Sequence, residues 1–287
     1  MSSRYRRLDD AESLRRFVQN LREGIYIMTP AGEILDGNPA FLEIVGLRSL
    51  AELKGVKATD FVDPAVRKEQ LLRLDRDGAV REFEIQIRRK DGQIRTVIDT
   101  AFLFTDPASR EAFIHGVLVD ITERKRLELQ LLEQSLRDPL TGCYNRRFLG
   151  QFATRYEARP TPWGCILADI DNFKQYNDRF GHEAGDSVLT KLARFLLRQT
   201  RAEEAVVRMG GDEFLVLLPN TDEASTEKTA GRLQFVAEKE MLAPFAMGWA
   251  SRHENEALEK TILRADHHMI SVKGELKSPS GIWKRPA

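Results

Sequence analysis

The sequence predicts an α+β protein, with two domains of mixed helix and strand joined by one helix. Length is the first reason: 287 residues suffice for two domains of ordinary size, each able to bury its own core. The second is patterning, because short alternating or continuous apolar runs, bounded by Gly, Pro and Asp turns, recur in both halves among runs of helical period. The third is the stretch 121–136, which lacks glycine and proline and spaces leucines three and four apart, as one helix face requires. The hydrophobic fraction of 42% is that of a globular chain, and Lys plus Arg and Asp plus Glu number 44 each. No net field therefore draws nucleic acid or an anionic membrane, and any polyanion must be bound locally. Residues 1–7 are polar and charged, and no run reaches the roughly 18 apolar residues that cross a bilayer, so a cytoplasmic protein without a membrane span is expected. Cys143 and Cys165 lack metal or redox spacing and read as core or loop thiols.

Taken in order, Leu14, Phe17, Val18 and Leu21 make one face of an amphipathic helix within residues 1–22. A first domain is expected over residues 23–121. Residues 24–28 and 33–35 read as strands around the turn Thr29-Pro30-Ala31-Gly32, and residues 38–45 as a short helix. Residues 82–88 alternate, Asp91-Gly92 forms a hairpin turn, residues 94–104 return, and residues 112–119 add a last apolar strand. The sum is a five-stranded antiparallel sheet with inserted helices. The linker helix, residues 122–137, carries Leu127, Leu129, Leu131, Leu132 and Leu136; it reads either as a helix packed on its own domains or as a coiled coil between two subunits. Asp138-Pro139 ends it, since proline disfavours helix at the residue before it.

In the first domain, Glu23-Gly24-Ile25-Tyr26, Asn38-Pro39-Ala40-Phe41, Arg89-Lys90-Asp91-Gly92 and the closing Asp120-Ile121-Thr122-Glu123-Arg124 resemble the PAS sensor family, over residues 12–124. The resemblance implies a sensor that binds a small ligand, or simply dimerises, and passes a change into the helix that follows; the ligand or protein signal stays unnamed. The domain has no cysteine for the flavin-cysteinyl adduct of the light-sensing branch, and residues 53–77 hold no histidine for the helical axial position of the haem-binding branch. Neither cofactor is expected. His115 lies in a predicted strand and reads as a satisfied sheet histidine.

The second domain, residues 138–287, reads helix, strand, helix, helix, strand, strand, helix, strand, helix. Residues 163–168 form a continuous apolar run, as in a strand buried on both faces, and Asp169 stands at its end, where rigid backbone fixes a ligand and the loop beyond leaves room for substrate. Asp171 reads as the N-cap of a short helix closed by Gly181. Gly210-Gly211-Asp212-Glu213 lies between the apolar runs 205–207 and 214–218, as a tight hairpin with two acids at its tip. Alone, such a turn is a solvated hairpin. Paired beside the strand that ends at Asp169, it brings three carboxylates together, which repel one another unless hard divalent cations, magnesium or manganese, lie between them and bring phosphates with them. Lys174 and Lys273 are then candidates to balance phosphate charge, against the plainer reading of solvated surface cations.

The second domain resembles the GGDEF family of diguanylate cyclases over residues 135–277. The resemblance rests on Asp138-Pro139-Leu140-Thr141-Gly142, Asn145-Arg146-Arg147, Asp169-Ile170-Asp171-Asn172-Phe173-Lys174, Asn177-Asp178, Gly181-His182-Glu183-Ala184-Gly185-Asp186 and Arg208-Met209-Gly210-Gly211-Asp212-Glu213-Phe214. It implies a βααββαβ palm-like nucleotide-cyclase fold and the condensation of two GTP, one on each of two facing subunits, into cyclic di-GMP and two pyrophosphates. By the same resemblance Asp169, Asp212 and the main-chain carbonyl of Ile170 hold two metal ions, roughly 3.5–4 Å apart. Asp212, Glu213 and Lys174 are the catalytic candidates, with Glu213 supporting either metal binding or hydroxyl activation. Phe173, Lys174, Asn177, His182, Asp186, Gly210, Gly211, Lys273 and Lys277 would contact substrate, and Asn177 and Asp186 match the positions that read the guanine edge. Asp186 reads equally as a helix N-cap.

Two stretches depart from the family. The product-inhibition slot reads Arg201-Ala202-Glu203-Glu204, with glutamate one methylene longer than the usual aspartate, while Arg201 and the matching Arg232 remain. Near the end, Ile270 replaces a tyrosine and Lys277 an arginine, which preserves charge without bidentate geometry. His267 and His268 read as surface or interface residues. The expected protein is a diguanylate cyclase, homodimeric through its PAS domain and linker helix and regulated by the PAS domain. The alternative is a catalytically silent GGDEF domain that acts as a GTP or cyclic di-GMP receptor, against which the intact Asp169, Asp212 and Glu213 argue.

Overall fold

The structure, a computed structural model, describes residues 10–158, 160–240 and 243–275. The chain divides into two compact units, residues 1–131 and 132–287. Among the described residues no helix is long and apolar enough to cross a membrane.

The first unit runs α1 (Ala11–Asn20), β1 (Gly24–Met28), β2 (Ile34–Gly37), α2 (Pro39–Val45), α3 (Pro64–Asp77), β3 (Ala79–Arg88), β4 (Ile94–Thr105) and β5 (Ala112–Asp120). The strands form a five-stranded antiparallel sheet in the order β2-β1-β5-β4-β3. Local chemistry sets the helix ends. Asn38 caps α2 by accepting from the Phe41 N–H at 2.9 Å, Pro39 opens it, and Gly46 closes it at φ 78°. Asp63, Pro64 and Gly78 do the same for α3. Phe41, Val45 and Leu74 from the helices and Tyr26, Val97, Ala101 and Ile114 from the sheet share one core. His115 on β5 packs beside the rings of Phe102 and Phe104, at 5.6 and 5.2 Å between centroids.

Helix α4 (Thr122–Ser135) carries the leucines, and none of its residues is buried. Leu127, Leu129, Leu131 and Leu132 are all exposed. Leu136 does not continue their row: it lies past the helix end and is buried in the second unit, because the chain turns there toward Asp138.

The second unit runs β6 (Tyr144–Asn145), α5 (Phe148–Tyr156), β7 (Trp163–Ile170), α6 (Phe173–Phe180), α7 (His182–Gln199), β8 (Ala205–Gly210), β9 (Glu213–Pro219), α8 (Glu223–Lys239), β10 (Phe245–Ser251) and α9 (Leu258–Glu275). Its sheet order is β10-β7-β9-β8-β6, antiparallel except for β6 on β8. Alternation along β7 explains why that run is continuously apolar. Ile166, Ala168 and Ile170 join a core with Leu192 and Leu196 of α7 and Leu233 of α8, whereas Trp163, Cys165 and Leu167 join a second core with Phe152 of α5 and Ala265 and Met269 of α9. Helices thus cover both faces of the sheet.

Within the first core Asp99, only 1% exposed, accepts from the Tyr26 hydroxyl at 3.0 Å and from the Gln70 amide. Burial pushes its carboxyl up to about 6 from the ordinary 3.8, against the downward pull of the Tyr26 bond, the Arg67 charge and the Gln70 bond. A folded value above the unfolded one means that this stabilisation is complete below pH 3.8 and is lost as pH rises through about 6. The difference corresponds to about 3 kcal/mol. Urea unfolding of the first unit, followed by hydrogen exchange, should show stability falling between pH 4 and 7, and Asp99→Asn should flatten that slope.

Candidate active site

The site begins with strand register. β7 lies between β10 and β9, and Asp169 near its end stands opposite Glu213, the first residue of β9. Directly opposed residues project to the same face, so the two carboxylates meet. Gly210 pairs with Glu213, which leaves Gly211 and Asp212 as the hairpin tip, and Gly211 takes φ 54°, a conformation that glycine adopts without strain. Burial raises the Asp212 carboxyl above its usual range, and the Asp169 charge raises it further. Burial and then Asp169, Asp212 and Asp266 do the same to Glu213. Lys273 of α9 reaches back and donates to Asp169, with its ammonium also 3.8 Å from Asp171 Oδ1. The sequence-predicted Asp169, Asp212, Glu213 and Lys273 thus form one electrostatic cluster.

Among the described residues no three His, Cys, Asp or Glu side chains close into a finished metal cage. What the site offers is hard oxygen donors, pressed together by strand pairing and short of positive charge. That chemistry fits a divalent cation whose remaining ligands would be phosphate oxygens.

Two helix-cap expectations are corrected. Asp171 does not cap α6: Asn172 occupies that position at φ 54° without a side-chain bond, while burial raises the Asp171 carboxyl and Lys273 opposes the rise. Asp186 does not cap α7 either, because that helix already starts at His182, directly after Gly181. Asp186 and His182 are four residues apart on α7 and share a face; both are exposed, as is Lys174 on α6. Asn177 of α6 has its side-chain oxygen buried without a hydrogen-bond partner. Gly185 lies against it so closely that a methyl group there would overlap the Asn177 oxygen and crowd the Phe173 ring. Gly185 is therefore a packing requirement of this corner, which the sequence shows only as a small residue on an amphipathic helix.

A further residue, not singled out from sequence, organises the hairpin. Arg208 of β8 donates to the Gly211 carbonyl through Nε at 3.1 Å and Nη2 at 2.8 Å, and through Nη1 to Asp138 at 3.2 Å. Asp138 in turn accepts from the Thr141 N–H at 2.9 Å and hydroxyl at 2.6 Å. Burial works against its charge, but the Thr141 bonds and Arg208 hold its carboxyl below the usual range. The available signal was an arginine two residues before the glycine pair, ending an apolar strand.

Elsewhere, Glu204 accepts from the Arg201 N–H at 2.7 Å and so closes its own turn, and Arg232 donates to the side-chain oxygen of Gln199 at 2.7 Å. Glu204 and Arg232, both expected at a product site, are thus each already hydrogen-bonded within the second unit. His268 is not a free surface residue, since its Nδ1 lies 3.1 Å from the Trp249 carbonyl oxygen. Lys277 lies outside the described residues.

The order β7-α6-α7-β8-β9-α8-β10, with carboxylates at the junction of β7 and the β8–β9 hairpin, is that of a palm-type domain. The sequence profile of the diguanylate cyclase GGDEF domain matches residues 135–278, half of the chain, and that of a PAS domain matches residues 22–123. The chain belongs to the GGDEF family of diguanylate cyclase domains, with a PAS domain ahead of the GGDEF domain. Diguanylate cyclase DgcM of Escherichia coli K12 is 33% identical over 170 residues, covering 55% of this chain and 41% of that protein. An uncharacterized signaling protein of Caulobacter vibrioides is 34% identical over 237 residues, covering 77% of this chain and 28% of its own length. The chain therefore spans less than half the length of these relatives. Among solved structures, the coiled coil and GGDEF domain of DgcB from Caulobacter crescentus, in complex with c-di-GMP, is 26% identical, with a TM-score of 0.49, over 54% of this chain and 89% of that one.

Replacing Arg208 by Met should lower the unfolding stability of the second unit by about 2 kcal/mol, since it strands a half-buried carboxylate and frees the hairpin tip. Tryptophan fluorescence reads this directly, because every tryptophan of the chain lies in that unit. In a double-mutant cycle with Asp138→Asn the two losses should be clearly non-additive.

Proposed function

We propose that the chain is a diguanylate cyclase that joins two GTP into cyclic di-GMP, one GTP held by each of two copies, under control of its PAS domain. The observation that carries this reading is the Asp169–Glu213 opposition beside Asp212, with an ammonium already drawn to it. Asp169, Asp212 and the Ile170 carbonyl would hold two magnesium or manganese ions, which supply positive charge to acidify a hydroxyl and to stabilise a pyrophosphate leaving group. The rest is the work of the chain. Gly210 and Gly211, without side chains, let triphosphate lie against the hairpin, and Lys273 and Lys174 offset its charge. Asn177, with its unpartnered buried oxygen, and Asp186 accept from guanine N1–H and N2–H, donors that adenine does not present. Phe173 and His182 flank that corner. The bound GTP then presents its α-phosphate to the 3′-hydroxyl of the GTP on the opposite copy. The new O3′–P bond forms as the bond to the β-phosphate bridging oxygen breaks, pyrophosphate departs, and the hydroxyl proton passes to Glu213, whose carboxyl is poised high by burial and its acidic neighbours. Repeating the step from the other side closes the ring. Support for a two-copy reaction includes the row of exposed leucines on α4, which suits a coiled coil.

Incubation with GTP and magnesium, with products resolved by chromatography, should yield cyclic di-GMP at a rate that climbs faster than linearly with protein concentration. Asp212→Ala should reduce that rate by roughly a thousandfold with the fold intact, as loss of a principal electrostatic group does. Retained activity would remove the mechanism. Asp186→Ser should narrow the preference for GTP over ATP by roughly 10- to 100-fold in a competition assay.

A further inference from the structure

One charged motif of the second unit has no internal partner. Arg146 and Arg147 follow β6 at the edge of the sheet, and neither side chain forms a hydrogen bond or an ion pair with another described residue. An exposed arginine is ordinarily left to water. Arg146 differs by its position. β6 runs parallel to β8, with Tyr144 opposite Val207 and Asn145 opposite Arg208, so Arg146 emerges beside Met209, which directly precedes the glycine pair.

The face of the sheet is fixed as well. Leu167 of β7 and Leu215 of β9 belong to the core shared with Phe152 of α5 and Met269 of α9. Asp169 and Glu213 each lie two residues from these leucines along the same strands and so project to that face. Tyr144 and Phe148, on either side of Arg146 in the chain, pack against the same core. At one end Lys273 donates to Asp169. At the other, burial and the neighbouring acids raise the Glu213 carboxyl, and the Arg146 charge opposes that rise. The order along the sheet end is thus Lys273, Asp169, Glu213, Arg146, with a cation at each end and the acids between, and β7 and β6 stand three strand positions apart. Beside the Arg146 end the surface opens into a cleft of about 630 Å³, whose walls include Arg146, Arg147, Arg208, Met209, Gly210 and Gly211. The Arg208 guanidinium is already engaged by Gly211 and Asp138, which leaves Arg146 and Arg147 to meet a ligand.

Taken with the reaction proposed above, on which this step rests, that order sets a direction. In-line displacement puts the attacking and leaving oxygens on opposite sides of the phosphorus. A pyrophosphate that departs toward Lys273 obliges the attacking 3′-hydroxyl to enter from the Arg146 end, past Glu213.

We propose that Arg146 receives the nucleotide held by the opposite copy: its guanidinium takes two oxygens of that nucleotide's α-phosphate in the cleft and so brings the 3′-hydroxyl to the hairpin. Each copy then holds its own GTP through the α6–α7 corner and touches the other through Arg146. No bond is made or broken at the arginine. A lysine there would keep the charge and lose the paired geometry.

The nucleotide 3′-deoxy-GTP, which has no hydroxyl with which to attack, separates this contact from turnover. With magnesium and saturating 3′-deoxy-GTP, sedimentation equilibrium of the full chain should show self-association about tenfold tighter than without nucleotide, because each nucleotide bridges two copies. Arg146→Met, with its circular dichroism unchanged, should lose that tightening, and Arg146→Lys should keep part of it. Equilibrium dialysis at protein concentrations where the copies are apart should find the Arg146→Met affinity for 3′-deoxy-GTP unchanged. In turnover at saturating GTP, Arg146→Met should form cyclic di-GMP roughly 100-fold more slowly, as loss of a charged donor to a reacting phosphate does. A wild-type chain that makes no cyclic di-GMP removes the proposed activity and leaves the association measurement in force. Any of three results overturns the proposal: no nucleotide-driven tightening in the wild-type chain, tightening that survives in Arg146→Met, or full turnover in that variant.

Discussion

The register that sets Asp169 against Glu213 across β7 and β9 is the constraint on which the second unit depends. Like charges directly opposed on neighbouring strands destabilise a sheet, so the pairing must be enforced by something stronger. That force is the apolar content of the same strands: residues 214–218 of β9 and nearly all of β7 are buried, with helices packed on both faces. A slip of one residue would turn every one of those side chains to the wrong core, at a cost well above that of two adjacent carboxylates. Electrostatic strain is therefore concentrated at the end of the sheet, where solvent, the Lys273 ammonium or a bound cation can relieve it.

The hairpin tip is held by different means. Gly211 and Asp212 make the turn, and Arg208 restrains it by donating twice to the Gly211 carbonyl. The same guanidinium holds Asp138, and neighbouring hydrogen bonds extend the brace: Asn145, on the strand beside β8, donates its side chain to the Ser135 carbonyl at the end of α4. The last residue of the leucine-bearing helix and the acidic hairpin are thus joined by a short chain of hydrogen bonds and strand pairing.

Legibility in the sequence followed signal length. The β7 run and the Gly-Gly hairpin were readable because six consecutive apolar residues and a turn composition each permit few interpretations. β6 was not, since two residues carry no period. The caps read at Asp171 and Asp186 failed because composition marks where a helix is able to start, whereas Gly181 lets α7 begin five residues earlier and the chain enters α6 through left-handed Asn172. Leu136 continued a leucine spacing that the backbone had already abandoned. Partners distant in sequence left no local trace: Lys273 meets Asp169 across 104 positions and Arg208 meets Asp138 across 70. Whether Lys273 was a surface cation or part of the site depended on the course of α9, which no pattern near the lysine encodes.

The two units treat a carboxylate held by a strand in opposite ways, and position along the strand accounts for the difference. Asp99 sits in the middle of β4, surrounded by core, where its charge is opposed chiefly by desolvation and a proton is the readiest neutraliser. Asp169 sits near the end of β7, where the chain opens into α6 and a cation has room to approach. At a strand centre, with water excluded, the options narrow to a proton or a neighbouring side chain. At a strand end they widen to a solvated cation or a mobile ammonium such as that of Lys273. The α+β architecture supplies both situations from the same element, and the distance of an acid from the end of its strand decides which of them it occupies.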